Sequence, residues 1–194
     1  MNTTRKMKRT NKSENSSAHA DRQSLRSALR WLIIPLSAVL TAILINTCLI
    51  ISAIVPSESM ADTVERGSLI IALRTAYRGE SPSRGDIVIF SHPEIDERYV
   101  MKRVIGLPGE TVEIRHGRVY IDGATEPLEE TYVGKFSDES IAAVTVPEGK
   151  YYLLGDNRCH SYDARFWSDP FVGEDSIYGK VVFRLFPKSG SVAR

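Results

Sequence analysis

Trp31-Leu-Ile-Ile-Pro-Leu-Ser-Ala-Val-Leu-Thr-Ala-Ile-Leu-Ile-Asn-Thr-Cys-Leu-Ile-Ile-Ser-Ala-Ile-Val55 carries no charged residue and runs directly into Pro56-Ser57-Glu58-Ser59-Met60. As a helix its 25 residues would extend about 37 Å, enough to cross the roughly 30 Å hydrocarbon core of a bilayer with some tilt. Pro35 lies near the start, where a helix tolerates proline, and Asn46 is the one costly side chain. A cleaved secretory signal has the same charged-then-apolar order, but its apolar region spans only about 7–15 residues and ends in small residues. This run is longer, and Ile51-Ser52-Ala53 is a poor Ala-x-Ala site. The expectation is therefore a retained anchor helix over 31–55.

Charge gives the anchor a direction. Residues 1–30 hold eight Lys and Arg against Glu14 and Asp21, a balance of +6, which leaves −5 for the rest of a chain whose net charge is +1. Positive residues beside a span stay cytoplasmic, so residues 1–30 are expected inside and residues 56–194 outside. The head is rich in Ser, Thr and Asn and poor in large apolar residues, a composition expected to be disordered. A mildly acidic body argues against nucleic acid as a partner; the basic head needs only anionic lipid. Cys48 in the span and Cys159 in the body are too far separated to pair as a structural disulfide.

Beyond residue 56, short apolar runs alternate with Gly and Pro turns: 68–73, 86–91, 99–105, 111–121 as a hairpin about His116-Gly117, 144–146, 150–155 and 179–186. Residues 124–143 are polar and weakly patterned, expected as loop with at most one short element. No long amphipathic helix is evident. The fold class expected is mainly β, an antiparallel sandwich or barrel-like domain behind one transmembrane helix.

Ser57 and Ser59 emerge where the span ends, and a serine hydroxyl needs a base before it can attack. Among the histidines, His19 is in the head, His116 in a turn and His92 before Pro93; His160, with Asp163 three residues on, is the one contender. Lys102 is the other candidate. Strand alternation turns it to the face of Val100 and Val104, with Arg103 opposite. A lysine among apolar side chains is either neutral or, on an edge strand, reaches out to solvent. A Ser-x-x-Lys pair at Ser59 is excluded, because residue 62 is Asp. A third stretch, Gly155-Asp-Asn-Arg-Cys-His-Ser-Tyr-Asp-Ala-Arg-Phe-Trp167, sets Asp163 and Arg165 close enough to pair. Its rival reading is a metal site of Asp156, His160 and Asp163, for which no second ligand cluster is evident.

The Pro-Ser-Glu-Ser-Met, Lys-Arg-Val-Ile-Gly-Leu-Pro-Gly and Gly-Asp-Asn-Arg…Ser-Tyr-Asp-Ala-Arg-Phe-Trp stretches, in this order behind an apolar anchor, resemble bacterial type I signal peptidase from residue 31 to about 187. The resemblance implies a Ser/Lys-dyad serine endopeptidase in which Ser59 is the nucleophile and Lys102 the general base. Ser57 and the Ser59 backbone N–H would form the oxyanion hole. It further implies that Ser161 orients the lysine, that Asp163 and Arg165 support the loop, and that no cofactor is needed. The implied substrates are signal peptides of secreted preproteins, cut after small residues. The plasma membrane is the implied location and the secretion translocon a further implied partner. Two rivals stand beside this reading, a non-catalytic relative acting in assembly and a self-cleaving regulator of the related Ser/Lys type. Intact Ser59 and Lys102 oppose the first and the anchor opposes the second. The chain departs from the family pattern at Asp62, Cys159, His160, Ala164 and Ser168. Cys159 is expected to be a partly buried, inert thiol.

Overall fold

The computed structural model describes residues 30–97, 99–186 and 190–192. The basic head, with His19, lies outside them apart from Arg30. The chain divides into two units, residues 1–45 and 46–194.

Helix α1, Arg30–Cys48, is long and apolar enough to cross a membrane. Its 19 residues amount to about 28 Å, and Trp31, Leu32, Ile34 and Leu44 are all exposed along it.

The helix ends well short of Val55. Ile50–Ile54 instead form strand β1, paired antiparallel with β2, Leu69–Leu73. Apolarity alone could not separate the two states: a membrane helix and a half-buried strand are both written in Ile, Leu and Ala. The deciding partner, β2, lies further along the chain, and the Leu49 carbonyl accepts from the Arg74 N–H at 2.9 Å to close the ladder.

The remaining strands are β3 (Ile87–Phe90), β4 (Val100–Gly106), β5 (Thr111–Arg115), β6 (Arg118–Ile121), β7 (Ile141–Thr145), β8 (Lys150–Leu154), β9 (Phe171–Gly173), β10 (Ile177–Phe186) and β11 (Gly190–Ser191). They form a large sheet in the order β1-β2-β10-β3-β4-β8-β9, with β11 on β10, and a small sheet β6-β5-β7. All recorded pairings are antiparallel, so the body is mainly β as expected. Beyond one-residue shifts at several strand ends, β7 starts inside the polar segment, β10 begins at Ile177, and β9 and β11 are additional. Strands β9 and β11 are too short to carry a period.

The hairpin β5–β6 turns where expected, with His116 and Gly117 both at positive φ, the geometry of a two-residue turn that follows the strand twist. A Cβ on Gly117 would fall 1.8 Å from the Ser137 carbonyl oxygen, so the 124–143 segment packs against this turn.

Alternation along β3 separates two cores. Val88 and Phe90 join Val104, Val112, Tyr152 and Leu154 in one, whereas Ile87 and Ile89 join Ile51, Met60, Ile70 and Val181 in the other. Strand β4 lies between β3 and β8. Lys102 is therefore on an interior strand, where reaching past the edge to solvent is not open to it.

Candidate active site

Directly after β1, residues 57–63 coil into tight turns, with Ala61 N–H donating to the Glu58 carbonyl at 3.0 Å and Thr63 N–H to that of Met60 at 2.9 Å. Met60 is fully buried and pins the turn. Its Sδ accepts from the Asp156 N–H at 3.4 Å. The Ser57 and Ser59 hydroxyl oxygens lie 3.4 Å apart. Ser59 is buried, and its backbone N–H has no hydrogen-bond acceptor among the described residues.

The third stretch closes over this turn. Asn157 N–H donates to the Ser59 carbonyl at 3.0 Å and the Asn157 side-chain amide to the Glu58 carbonyl at 3.0 Å. Gly155 marks the tightest approach. A Cβ there would lie 2.1 Å from Ser161 Oγ and 2.6 Å from the Ser59 carbonyl oxygen, so only glycine fits. Arg103 pairs with Leu154 across β4–β8, and continuing that register by one residue sets Gly155 beside Lys102. Directly opposed residues share a face, so the side of Gly155 that meets the Ser161 hydroxyl and the Ser59 carbonyl is the side to which Lys102 turns.

Lys102 is 3 % exposed, opposite Val88 on β3. Burial lowers its pKa from 10.5 to about 8, against the pull of the Asp163 and Glu97 carboxylates. Ser161 is also buried, and its hydroxyl has no hydrogen-bond partner among the described residues, so an orienting bond to the lysine is not formed here.

Asp163 and Arg165 make the pair their spacing suggests: Nε donates to Oδ1 at 2.8 Å and Nη2 to Oδ2 at 3.0 Å. Asp163 also accepts from the Gly155 N–H at 2.9 Å, and Arg165 Nη2 donates to the Arg158 carbonyl at 2.9 Å. The pair thus fixes both ends of the loop. It also disposes of two rival readings. Asp163 is committed to Arg165, Asp156 is committed to Arg103, and His160 is exposed with its ring nitrogen 3.3 Å from Asn157 Oδ1. Neither a His160–Asp163 relay nor a metal cluster of the three is built.

Several supporting residues escaped the sequence reading. Arg103 and Asp156 form a buried bidentate pair, at 2.8 and 2.6 Å, and Thr63 Oγ1 donates to the same carboxylate at 2.5 Å. Arg158 pairs with buried Glu130. Arg165 Nη1 donates to Ser137 Oγ at 3.1 Å and to Glu139 at 3.0 Å. Asp62 accepts from the Gly134 N–H at 2.8 Å. The weakly patterned 124–143 segment is therefore a strap that supplies carboxylates to the loop arginines. The one hint in the sequence was the density of Glu, Asp and Ser in a stretch with no apolar period. Cys159 departs from expectation in being exposed, because the chain turns its side chain outward toward the Lys135 carbonyl, 3.8 Å away.

A cavity of about 320 Å³ adjoins the serine turn, lined among others by Val55, Pro56, Ser57, Ile89, Val100 and Met101.

Comparison with known proteins places the chain in a family. The family model for signal peptidase, peptidase S26, matches residues 28–186. The signal peptidase I of Leptolyngbya laminosa is 40 % identical over 158 residues, 77 % of this chain and 75 % of that one. A probable signal peptidase I-1 of Synechocystis is 38 % identical over 142 residues, 70 % of each chain. A crystal structure of a signal peptidase I from Enterococcus faecalis is 38 % identical, with a TM-score of 0.44 over 52 % of this chain and 97 % of that one. A family match across most of its length and relatives at this identity establish that the chain is a peptidase belonging to the signal peptidase I family.

Proposed function

We propose that the protein is a membrane-anchored serine endopeptidase that removes signal peptides from exported preproteins, with Ser59 as nucleophile and neutral Lys102 as general base. The observation that carries this reading is the burial of Lys102, uncompensated by any hydrogen bond to its ammonium among the described residues. Desolvation brings its pKa to about 8, close enough to neutrality for the amine to accept a proton.

In the first step Lys102 takes the Ser59 proton as Oγ attacks the scissile carbonyl. The unengaged Ser59 N–H and the Ser57 hydroxyl donate to the oxyanion, each such donor being worth about 2.7–4 kcal/mol. Lys102 then returns its proton to the leaving amine, and water hydrolyses the acyl-enzyme. Ser161 would reach Lys102 through a rotation of its unpartnered hydroxyl, and the Asp163–Arg165 pair holds the loop that carries it. The apolar cavity beside Ser57 suits small side chains ahead of the cut. Helix α1 would span the plasma membrane with its basic end cytoplasmic and the body outside. Holding enzyme and signal peptide at one surface raises their effective concentration, and the translocon that delivers the preprotein is the natural neighbour.

The test is cleavage of a preprotein by the full-length protein in lipid, with product N-termini sequenced. Ser59→Ala and Lys102→Ala are each expected to abolish cleavage while the strand signal in circular dichroism persists. Full activity in either variant overturns the dyad.

A further inference from the structure

The cavity beside the serine turn touches both catalytic motifs: Ser57 lies two residues before Ser59, and Val100 and Met101 directly precede Lys102. Its volume is at the small end of the usual range for ligand sites, roughly 300–1,000 Å³. Nearly all of its lining is uncharged. Glu97 is the one charged side chain among the described residues that line it.

Glu97 differs from the acid three residues before it. Glu94 is committed to structure: Oε1 accepts from the Ser168 N–H at 2.8 Å, and Oε2 lies 3.5 Å from the Tyr162 hydroxyl. The Glu97 carboxylate pulls on Lys102 through space but has no hydrogen-bond or close ion-pair partner among the described residues, and it is exposed where it lines the cavity. A charge without a contacting partner beside low-dielectric walls still projects its field into the opening. Burying an acidic substrate side chain beside it would be opposed, and a basic one would be drawn in.

We propose that Glu97 is a specificity-determining residue through which the enzyme reads charge on the substrate chain, favouring a basic and disfavouring an acidic side chain at the mouth of the cavity. This rests on the reading above in taking the cavity as the substrate cleft. It adds to a requirement for small residues a charge preference at a neighbouring position.

The experiment uses the full-length protein in lipid and a set of peptides sharing one cleavage site, with Lys, Gln or Glu placed in turn at each position flanking it. The kcat/KM values are compared for wild type, Glu97→Gln and Glu97→Lys. At one position wild type should prefer Lys over Glu by about two- to fivefold, the range for an exposed charge pair. Glu97→Gln should level the ratio and Glu97→Lys should reverse it. Raising salt to about 1 M, where the Debye length is about 3 Å, should shrink the wild-type preference. A Lys/Glu ratio near one at every position, or one that Glu97→Lys leaves unchanged, overturns the proposal. Ser59→Ala is run in parallel. If it still cleaves, the dyad reading fails on its own, and the charge ratios remain readable from the products.

Discussion

Two cations stand side by side on β4 and are buried alike, Lys102 at 3 % and Arg103 at 2 % exposure. Arg103 meets a complete set of partners: both Asp156 oxygens, the Gly85 carbonyl at 2.7 Å, and the Tyr132 ring, whose centroid lies 3.9 Å from its guanidinium carbon. Lys102 lies opposite Val88, and the two carboxylates that pull on it most are Asp163, already claimed by Arg165, and the exposed Glu97. One face of the strand thus spends a buried charge on holding the serine turn to the loop, through Thr63 and Asp156. The other leaves a buried amine under-solvated and so reluctant to stay charged. The residue types suit these tasks, since a guanidinium stays protonated in either setting while an ammonium gives up its proton when desolvated.

The largest effect expected from breaking this contrast is on the Arg103 side. Asp156→Ala leaves a buried, unpaired guanidinium, and stability should fall by about 3–5 kcal/mol, measured as a shift in the urea midpoint of the full chain in detergent. Glu130→Ala, which strands Arg158 in the same way, should behave similarly. A loss under about 1 kcal/mol for both would mean that the pairs are not what holds the loop.

On the Lys102 side the sign reverses. A pKa lowered from 10.5 to about 8 means that folding below pH 8 carries the full cost of burying the ammonium, about 3 kcal/mol at roughly 1.4 kcal/mol per pKa unit. Between about 8 and 10.5 the unfolded chain binds the extra proton, so wild-type stability rises with pH across that window. Lys102→Met should therefore abolish cleavage yet stabilise the fold by up to about 3 kcal/mol at pH 7, with the gain shrinking toward pH 10. Destabilisation at pH 7 would contradict the contrast.

How far the contrast was legible in the sequence depends on distance along the chain. Strand alternation alone turned Lys102 and Arg103 to opposite faces, and the two-residue spacing of Asp163 and Arg165 anticipated their pairing. That Asp156 belongs to Arg103, and Glu130 to Arg158, was not legible, because those pairs join segments with no local signal for one another. Asp156 even read as a metal ligand. The same limit hid the end of α1. Ile50–Ile54 continue an apolar run, and only their partner β2 makes them a strand. Choosing Lys102 over His160 needed the family resemblance as well, since a strand lysine can also reach out to solvent, a loop histidine can also be a base, and neither spacing was decisive.

A smaller effect sharpens how the loop side is tied. Asp62 accepts from the Gly134 N–H at one of the chain's departures from the family pattern. Asp62→Ala should cost about 1 kcal/mol, the net value of one such bond, and reduce kcat modestly. Asp62→Asn retains an acceptor oxygen and should recover most of both. Equal losses in the two variants would assign Asp62's effect to its charge instead of its bond.

The central claim is that Lys102 acts as a neutral base, and the pH dependence of kcat/KM for preprotein cleavage tests it most directly. With the full-length protein in lipid, the rate should fall about tenfold per pH unit below a midpoint near 8, and the midpoint should follow the lysine in remaining unmoved by His160→Ala. A rate that stays level down to about pH 5, or a midpoint that moves or vanishes with His160, would contradict it.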